Sequence, residues 1–260
     1  MGPAPLRVVR RGRPMHAWLG TAPLPSGRPV VVLVHGAVVS SRYMLPLLRA
    51  LDPHVRVLAP DLPGHGRSRA LPFRGLHAQA DALVDWLDAL EVERAAFVGN
   101  SYGCQVIASF AARHPERTSC VVLQGPTGEP RPIGRLLFGL LMDSLQKAFT
   151  RHGLNVLLDL KDCGLRRAFA LARELRRRPG DDLMPFIDRP ALVVRGTRDW
   201  YVSRAWCEHL TRLLPRGRHV ELPGGDHTLN FTQPERLAGL IVPFVLGATA
   251  RAPTPFSAVA

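Results

Sequence analysis

Lysine is almost missing from this chain of 260 residues: Lys147 and Lys161 are the only two, and arginine supplies the rest of the basic excess. That excess is large, a formal net charge of +13, but it is scattered from Arg7 to Arg251 rather than gathered into a stripe. No zinc-finger, basic-zipper or RNA-binding signature accompanies it, so nucleic acid is not expected as a partner. The arginines read as a solvated surface, one that would suit an acidic partner or an anionic substrate.

Cysteine is scarce as well. Cys104, Cys120, Cys163 and Cys207 have neither metal-ligand spacing nor a paired framework, so they are expected as small buried residues in a reducing compartment. The N-terminal residues hold no apolar core of signal-peptide length and no myristoylation signal. No uncharged segment reaches transmembrane length. A cytoplasmic protein without membrane insertion is therefore expected, as a monomer or homodimer. No phosphate-cradling loop or dinucleotide fingerprint occurs, so no cofactor and no metal is expected.

What is present is a chain with 46% hydrophobic residues, too apolar to be disordered and long enough for one domain with a large core. Short strands are read at Leu6–Val9 and His16–Leu19, buried ones at Val30–Val34 and Val55–Ala59, and further strands at Ala95–Val98, Cys120–Leu123, Ala191–Arg195 and His219–Leu222. Helical spacing marks Tyr43–Leu51, Leu76–Leu90, the run up to His114, Arg204–Leu214 and Pro234–Leu246. Alternation of strands and helices implies an α/β fold with a parallel sheet. It breaks once: residues 130–185 carry no strand signal but three helical runs, Ile133–Phe149, Leu154–Leu160 and Leu165–Arg177. This stretch reads as a helical cap inserted after the sixth strand. The core domain is then 1–129 with 186–247, and 248–260 is a disordered tail.

One pentapeptide stands out, Gly99-Asn100-Ser101-Tyr102-Gly103. It follows a strand run and opens a helical one, the context a Gly-x-Ser-x-Gly nucleophile elbow requires. A serine hydroxyl is a weak nucleophile at neutral pH and needs a base, which in turn needs an orienting acid. In such a topology nucleophile, acid and base follow one another along the chain. Asp199 lies in the loop after Ala191–Arg195, and His227 in the loop after His219–Leu222. Asp226 and Glu129, the first acid after the sixth strand, compete with Asp199 for the acid's place, and Asp199 is favoured.

With His35-Gly36 after the third strand and the Asp61–Ser68 loop added, the chain resembles the α/β-hydrolase superfamily over almost its full length. The resemblance implies a mostly parallel eight-stranded sheet flanked by helices, with Ser101 as nucleophile, His227 as base and then acid, and Asp199 as orienting acid. It further implies an oxyanion hole from the amides of Tyr102 and Ala37, with Val38 as the alternative second donor. A serine nucleophile argues against dehalogenase or epoxide-hydrolase chemistry, where the elbow carries Asp.

The expected activity is hydrolysis of a carboxylic ester with an apolar acyl group. The substrate is a small molecule, held by Val38, Val39, Trp200, Leu229 and the cap residues Leu137 and Leu141. The same machinery serves C–C bond hydrolases, lactonases, thioesterases and perhydrolases, and some receptors that keep the triad. Asp61, His65 and Arg67 are expected to organise their own loop rather than to react.

Overall fold

The computed structural model of the protein describes residues 2–10, 13–25, 27–130, 158–159, 161–177 and 180–250. Its centre is a run of short strands dominated by valine, leucine and alanine. These are β3 (Val30–Val34), β4 (Arg56–Pro60), β5 (Ala95–Asn100), β6 (Thr118–Gln124), β7 (Ala191–Gly196) and β8 (Gly217–Leu222). Branched side chains suit a pleated surface covered on both sides. All six pair in parallel. A hairpin of β1 (Ala4–Arg10) and β2 (Arg13–Leu19) adds an antiparallel edge, with β2 joined to β4. The strand order is β1-β2-β4-β3-β5-β6-β7-β8, and the chain has the α/β-hydrolase fold expected from its sequence.

Successive side chains of a strand point to opposite faces. Val31 and Leu33 accordingly meet Leu47, Leu48 and Leu51 of α1 (Leu45–Leu51) together with Leu237 and Ile241 of α7 (Pro234–Ala250). Val32 and Val34 face the other layer, which holds Leu83 and Trp86 of α2 (Leu76–Ala89), Val106 and Phe110 of α3 (Tyr102–Arg113), and Leu210 of α5 (Arg204–Leu213). The rings of Phe97 and Phe110 pack at 4.5 Å between centroids, tying the elbow strand to the elbow helix.

Three details differ from the sequence reading. The segment before α1 is a 3-10 turn, Ser41–Met44, and the α-helix starts only at Leu45 because Pro46 enters at its first turn. A short helix, α6 (Leu229–Thr232), follows the histidine loop. The last helix continues through Gly247 to Ala250, three residues into the stretch read as tail.

Between β6 and β7 the described residues form helix α4 (Leu165–Arg177) and no strand. This helix lies on the loop after β4. Arg167 donates to the carbonyls of Gly64 and Arg69, Glu174 accepts from the amide of Leu76 at 3.3 Å, and Leu171 is buried in the core. The expected helical run Ile133–Phe149, with Leu136, Leu137, Leu140, Leu141 and Phe149, lies outside the described residues, as does the tail from 251. Among the described residues no helix is long and apolar enough to cross a membrane.

Candidate active site

The turn between β5 and α3 is as tight as its glycines suggest. A methyl group on Gly103 would sit 2.3 Å from the carbonyl oxygen of Val34, and one on Gly99 would sit 2.7 Å from the backbone of Gly103. Helix and strand can approach this closely only without those side chains. Ser101 sits at φ 56° and ψ −119°, a region that non-glycine residues occupy only under constraint. Its amide is held by the carbonyl of Gln124 at 3.0 Å, and the residue stays partly exposed at the head of α3.

Across the same edge, His227 Nδ1 lies 2.8 Å from Asp199 Oδ2. The other carboxylate oxygen, Oδ1, accepts the amides of Tyr201 at 2.8 Å and Val202 at 3.0 Å. With its acceptors so committed, the carboxylate orients the imidazole with the proton on Nδ1, which leaves Nε2 as the basic nitrogen. Both residues are buried, Asp199 to 5% and His227 to 8% exposure. The other two acids are occupied elsewhere. Asp226 Oδ1 accepts from Thr228 and Thr232 within its own turn, and Glu129 accepts from the amide and hydroxyl of Ser203 at the start of α5.

Ser101 and His227 hang from one support. Gln124 offers its carbonyl to Ser101 and donates its side-chain amide to the His227 carbonyl at 2.8 Å. Asn100 donates to that carbonyl as well, at 3.1 Å, and to Gln124 Oε1 at 2.8 Å. Among the described residues no hydrogen bond joins Ser101 Oγ to the imidazole, a contact that commonly tightens only when substrate arrives.

The loop after β3 abuts the elbow: a methyl on Gly36 would lie 3.3 Å from Ser101 Cβ. This places Ala37 and Val38 beside the nucleophile turn. Val38 has φ 56°, which for a β-branched residue costs on the order of 1–3 kcal/mol. His35 shapes the loop from below. Its Nδ1–H donates to the Gly36 carbonyl at 2.8 Å and its Nε2 accepts the Leu62 amide at 3.1 Å, an arrangement that fits the neutral ring. Burial pushes its pKa down accordingly.

Asp61 ties the same region together, accepting from Ser41 N and Oγ, Arg67 N and His16 Nδ1. Burial works against its charge, but the bonds from His16 and Ser41 hold its pKa at about 2. His65, buried beside His35, is pushed down to about 3, by burial first and then by that neighbour.

The other expected site residues are placed as follows. Val38 and Val39 lie in the loop beside Ser101, with Val39 buried in a core layer. Leu229 is wholly buried in that same layer. Trp200 is 48% exposed, while its neighbour Tyr201, not singled out from the sequence, packs its ring 4.6 Å from that of His227. Leu137 and Leu141 lie outside the described residues. All four cysteines are free and buried, and among the described residues no group of three His, Cys, Asp or Glu side chains could hold a metal ion.

Comparison with known proteins gives the family of the chain. Residues 31–240 match the model of the alpha/beta hydrolase family. A protein of Pseudomonas savastanoi pv. phaseolicola named "Putative carbamate hydrolase RutD" is 31% identical over 231 residues, covering 79% of this chain and 89% of that protein. The 2-hydroxy-6-oxo-6-phenylhexa-2,4-dienoate hydrolase of Burkholderia cepacia is 36% identical over 115 residues, 42% of this chain and 38% of that protein. Among solved structures, a bacterial membrane phospholipase A superposes with a TM-score of 0.81 at 23% identity, over 95% of this chain and 87% of that one. The chain belongs to the alpha/beta hydrolase family and is a hydrolase of that type.

Proposed function

We propose that the protein is a serine hydrolase that cleaves carboxylic esters with an apolar acyl group through an acyl-enzyme. The observation that carries this reading is the 2.8 Å contact between His227 Nδ1 and Asp199 Oδ2, beside a serine held in an elbow conformation. Ser101 Oγ attacks the ester carbonyl while His227 Nε2 takes its proton. The oxyanion rests on the amides of Tyr102, at the head of α3, and of Ala37 or Val38. The protonated His227 gives its proton to the leaving alcohol. Water, deprotonated by the same nitrogen, then attacks the acyl-enzyme, and Ser101 departs with the returned proton.

The segment 130–185 is proposed as the cap that lines the acyl pocket. Reading a ring-cleavage product would call for an arginine turned inward on a carboxylate. Of the three arginines offered for that role by the sequence, Arg166 and Arg173 are exposed on α4 and Arg135 lies outside the described residues. The test is fluorophosphonate labelling beside hydrolysis of p-nitrophenyl esters of increasing acyl length and a p-nitrophenyl carbamate, in wild type and Ser101→Ala. Labelling and turnover lost together in the variant support the reading. A folded wild type that neither labels nor turns over rejects it, and a carbamate preferred over every ester moves the assignment to carbamates.

A further inference from the structure

The turn Gly36–Val39 carries both candidates for the second oxyanion donor, and Val38 holds it in a left-handed conformation. A conformation of this kind persists only where its surroundings over-determine it. On its N-terminal side the turn is fixed by the His35 ring on the Gly36 carbonyl and by the seat of Gly36 against Ser101. On its C-terminal side two consecutive serines are each gripped by a buried carboxylate. Ser41 gives its amide and hydroxyl to Asp61, from the loop after β4. Ser40 gives its amide, at 3.0 Å, and its hydroxyl, at 2.8 Å, to Asp159, which lies 119 residues away in the segment between β6 and β7. Arg42 Nη1 adds a third donor to Asp159 at 3.1 Å.

Asp159 is only 2% exposed, and no step of the ester mechanism uses it. A buried carboxylate needs several donors to offset its lost hydration. All three of the donors named here come from the stretch Ser40–Arg42, within two to four residues of Val38. We propose that Asp159 is a positioning residue for the oxyanion hole: by clamping Ser40 it holds the Ala37–Val38 turn in its donating conformation. The role rests on the Ser101 hydrolase reading. It makes Asp159 a residue that acts on the transition state rather than on substrate enclosure alone.

The two roles separate in kinetics. A residue that merely roofs the pocket changes KM, whereas one that shapes the oxyanion hole acts on the transition state and changes kcat. Asp159→Ala, Asp159→Asn and Ser40→Ala would be compared with wild type on a p-nitrophenyl ester. An alkylboronic acid, whose tetrahedral adduct on Ser101 places an oxygen in the hole, would serve as the oxyanion probe. The expected result for Asp159→Ala is a kcat lower by roughly 10- to 100-fold with KM within about twofold, and boronate inhibition weakened in parallel. Asp159→Asn, isosteric and still able to accept one hydrogen bond, loses less, and so does Ser40→Ala, which keeps its amide donor. If Asp159→Ala does not fold, the asparagine variant decides by the same criteria. Unchanged kcat, a rise in KM alone, or unchanged boronate affinity overturns the positioning role while leaving Ser101 in place. A wild type that neither hydrolyses ester nor labels at Ser101 overturns both.

Discussion

The side-chain amide of Asn100 donates to the main-chain carbonyl of His227 at 3.1 Å, so the residue before the candidate nucleophile holds the backbone of the candidate base. Gln124 donates to the same carbonyl and accepts from Asn100, closing a triangle of buried amides beneath the site. Asn100→Ala removes one corner and leaves Gln124 Oε1 without its donor. The expected outcome is a kcat reduced roughly tenfold with KM little changed, since only the approach of Nε2 to Ser101 is loosened. A stability loss of about 1–3 kcal/mol accompanies it, from the acceptor left buried and unmet. Steady-state kinetics and a thermal melt read the two effects separately. An unchanged kcat would show that the loop holds His227 without the clamp.

Asp199→Asn tests the acid. The carboxamide occupies the same space and can still accept the amides of Tyr201 and Val202 on one oxygen. The group facing His227 Nδ1 then becomes an amide N–H, which favours the tautomer with its proton on Nε2, where a base needs a lone pair. The expected loss in kcat is about a thousandfold to ten-thousandfold with the fold intact. Combining the change with Ser101→Ala should cost no more than Ser101→Ala alone, because the residues act as one unit. Retention of most activity in the single variant would move the acid to Asp226 or Glu129.

Much of this site was legible in the sequence because its signals are local. Glycines two residues either side of Ser101, between an apolar strand run and a helical one, fix a turn that few other sequences permit. Asp199 and His227 follow from their loops' positions at strand ends. The supports were not legible. Asn100 meets Gln124 across 24 residues and His227 across 127, and no spacing rule links the ends of two strands to a distant loop. Asp159 sits in the leucine-rich run Leu154–Leu160, whose pattern shows no partner for it; only the tertiary fold turns it onto Ser40. Trp200 and Tyr201 show the limit at one-residue scale. Both are aromatic and adjacent, and the backbone turn after Asp199 decides that Tyr201 is the one whose ring packs, tilted, against His227.

Glycine substitutions at two places should behave in opposite ways. In Gly103→Ala the new methyl group meets the carbonyl oxygens of Val34 at 2.3 Å and His35 at 2.7 Å, so strand and helix must part. A loss of about 2–4 kcal/mol is expected, with Ser101 displaced and labelling lost. In Gly239→Ala, on the exposed side of α7, nothing lies within 4 Å of the added group. Alanine favours the helix there, and a gain of about 0.5–1 kcal/mol is expected. Thermal melts of the pair check both signs. A stable, active Gly103→Ala protein would contradict the close approach at the elbow.

Acid stability should carry the mark of two buried groups in separate pH windows. His65 has its pKa lowered from 6.5 to about 3, burial being the main cause and His35 the next. Its folded form resists protonation while the unfolded chain accepts it, so stability is fully present above about 6.5 and declines as pH falls towards 3, by on the order of a few kcal/mol. His35, also lowered by burial, acts in the same direction. Asp61 behaves otherwise. Its carboxylate, held at about 2 against an ordinary 3.8, contributes stability above 3.8 that is lost only as pH falls through 2. His65→Gln keeps a donor for the Pro63 carbonyl but cannot titrate. It should be less stable than wild type at pH 8, through lost packing, and the deficit should shrink between pH 6.5 and 3. Asp61→Asn should instead be destabilised throughout the neutral range, with its deficit closing only below about pH 4. Chemical denaturation at a series of pH values reads both, and parallel curves for wild type and His65→Gln between pH 6.5 and 3 would remove His65 from the account of acid unfolding.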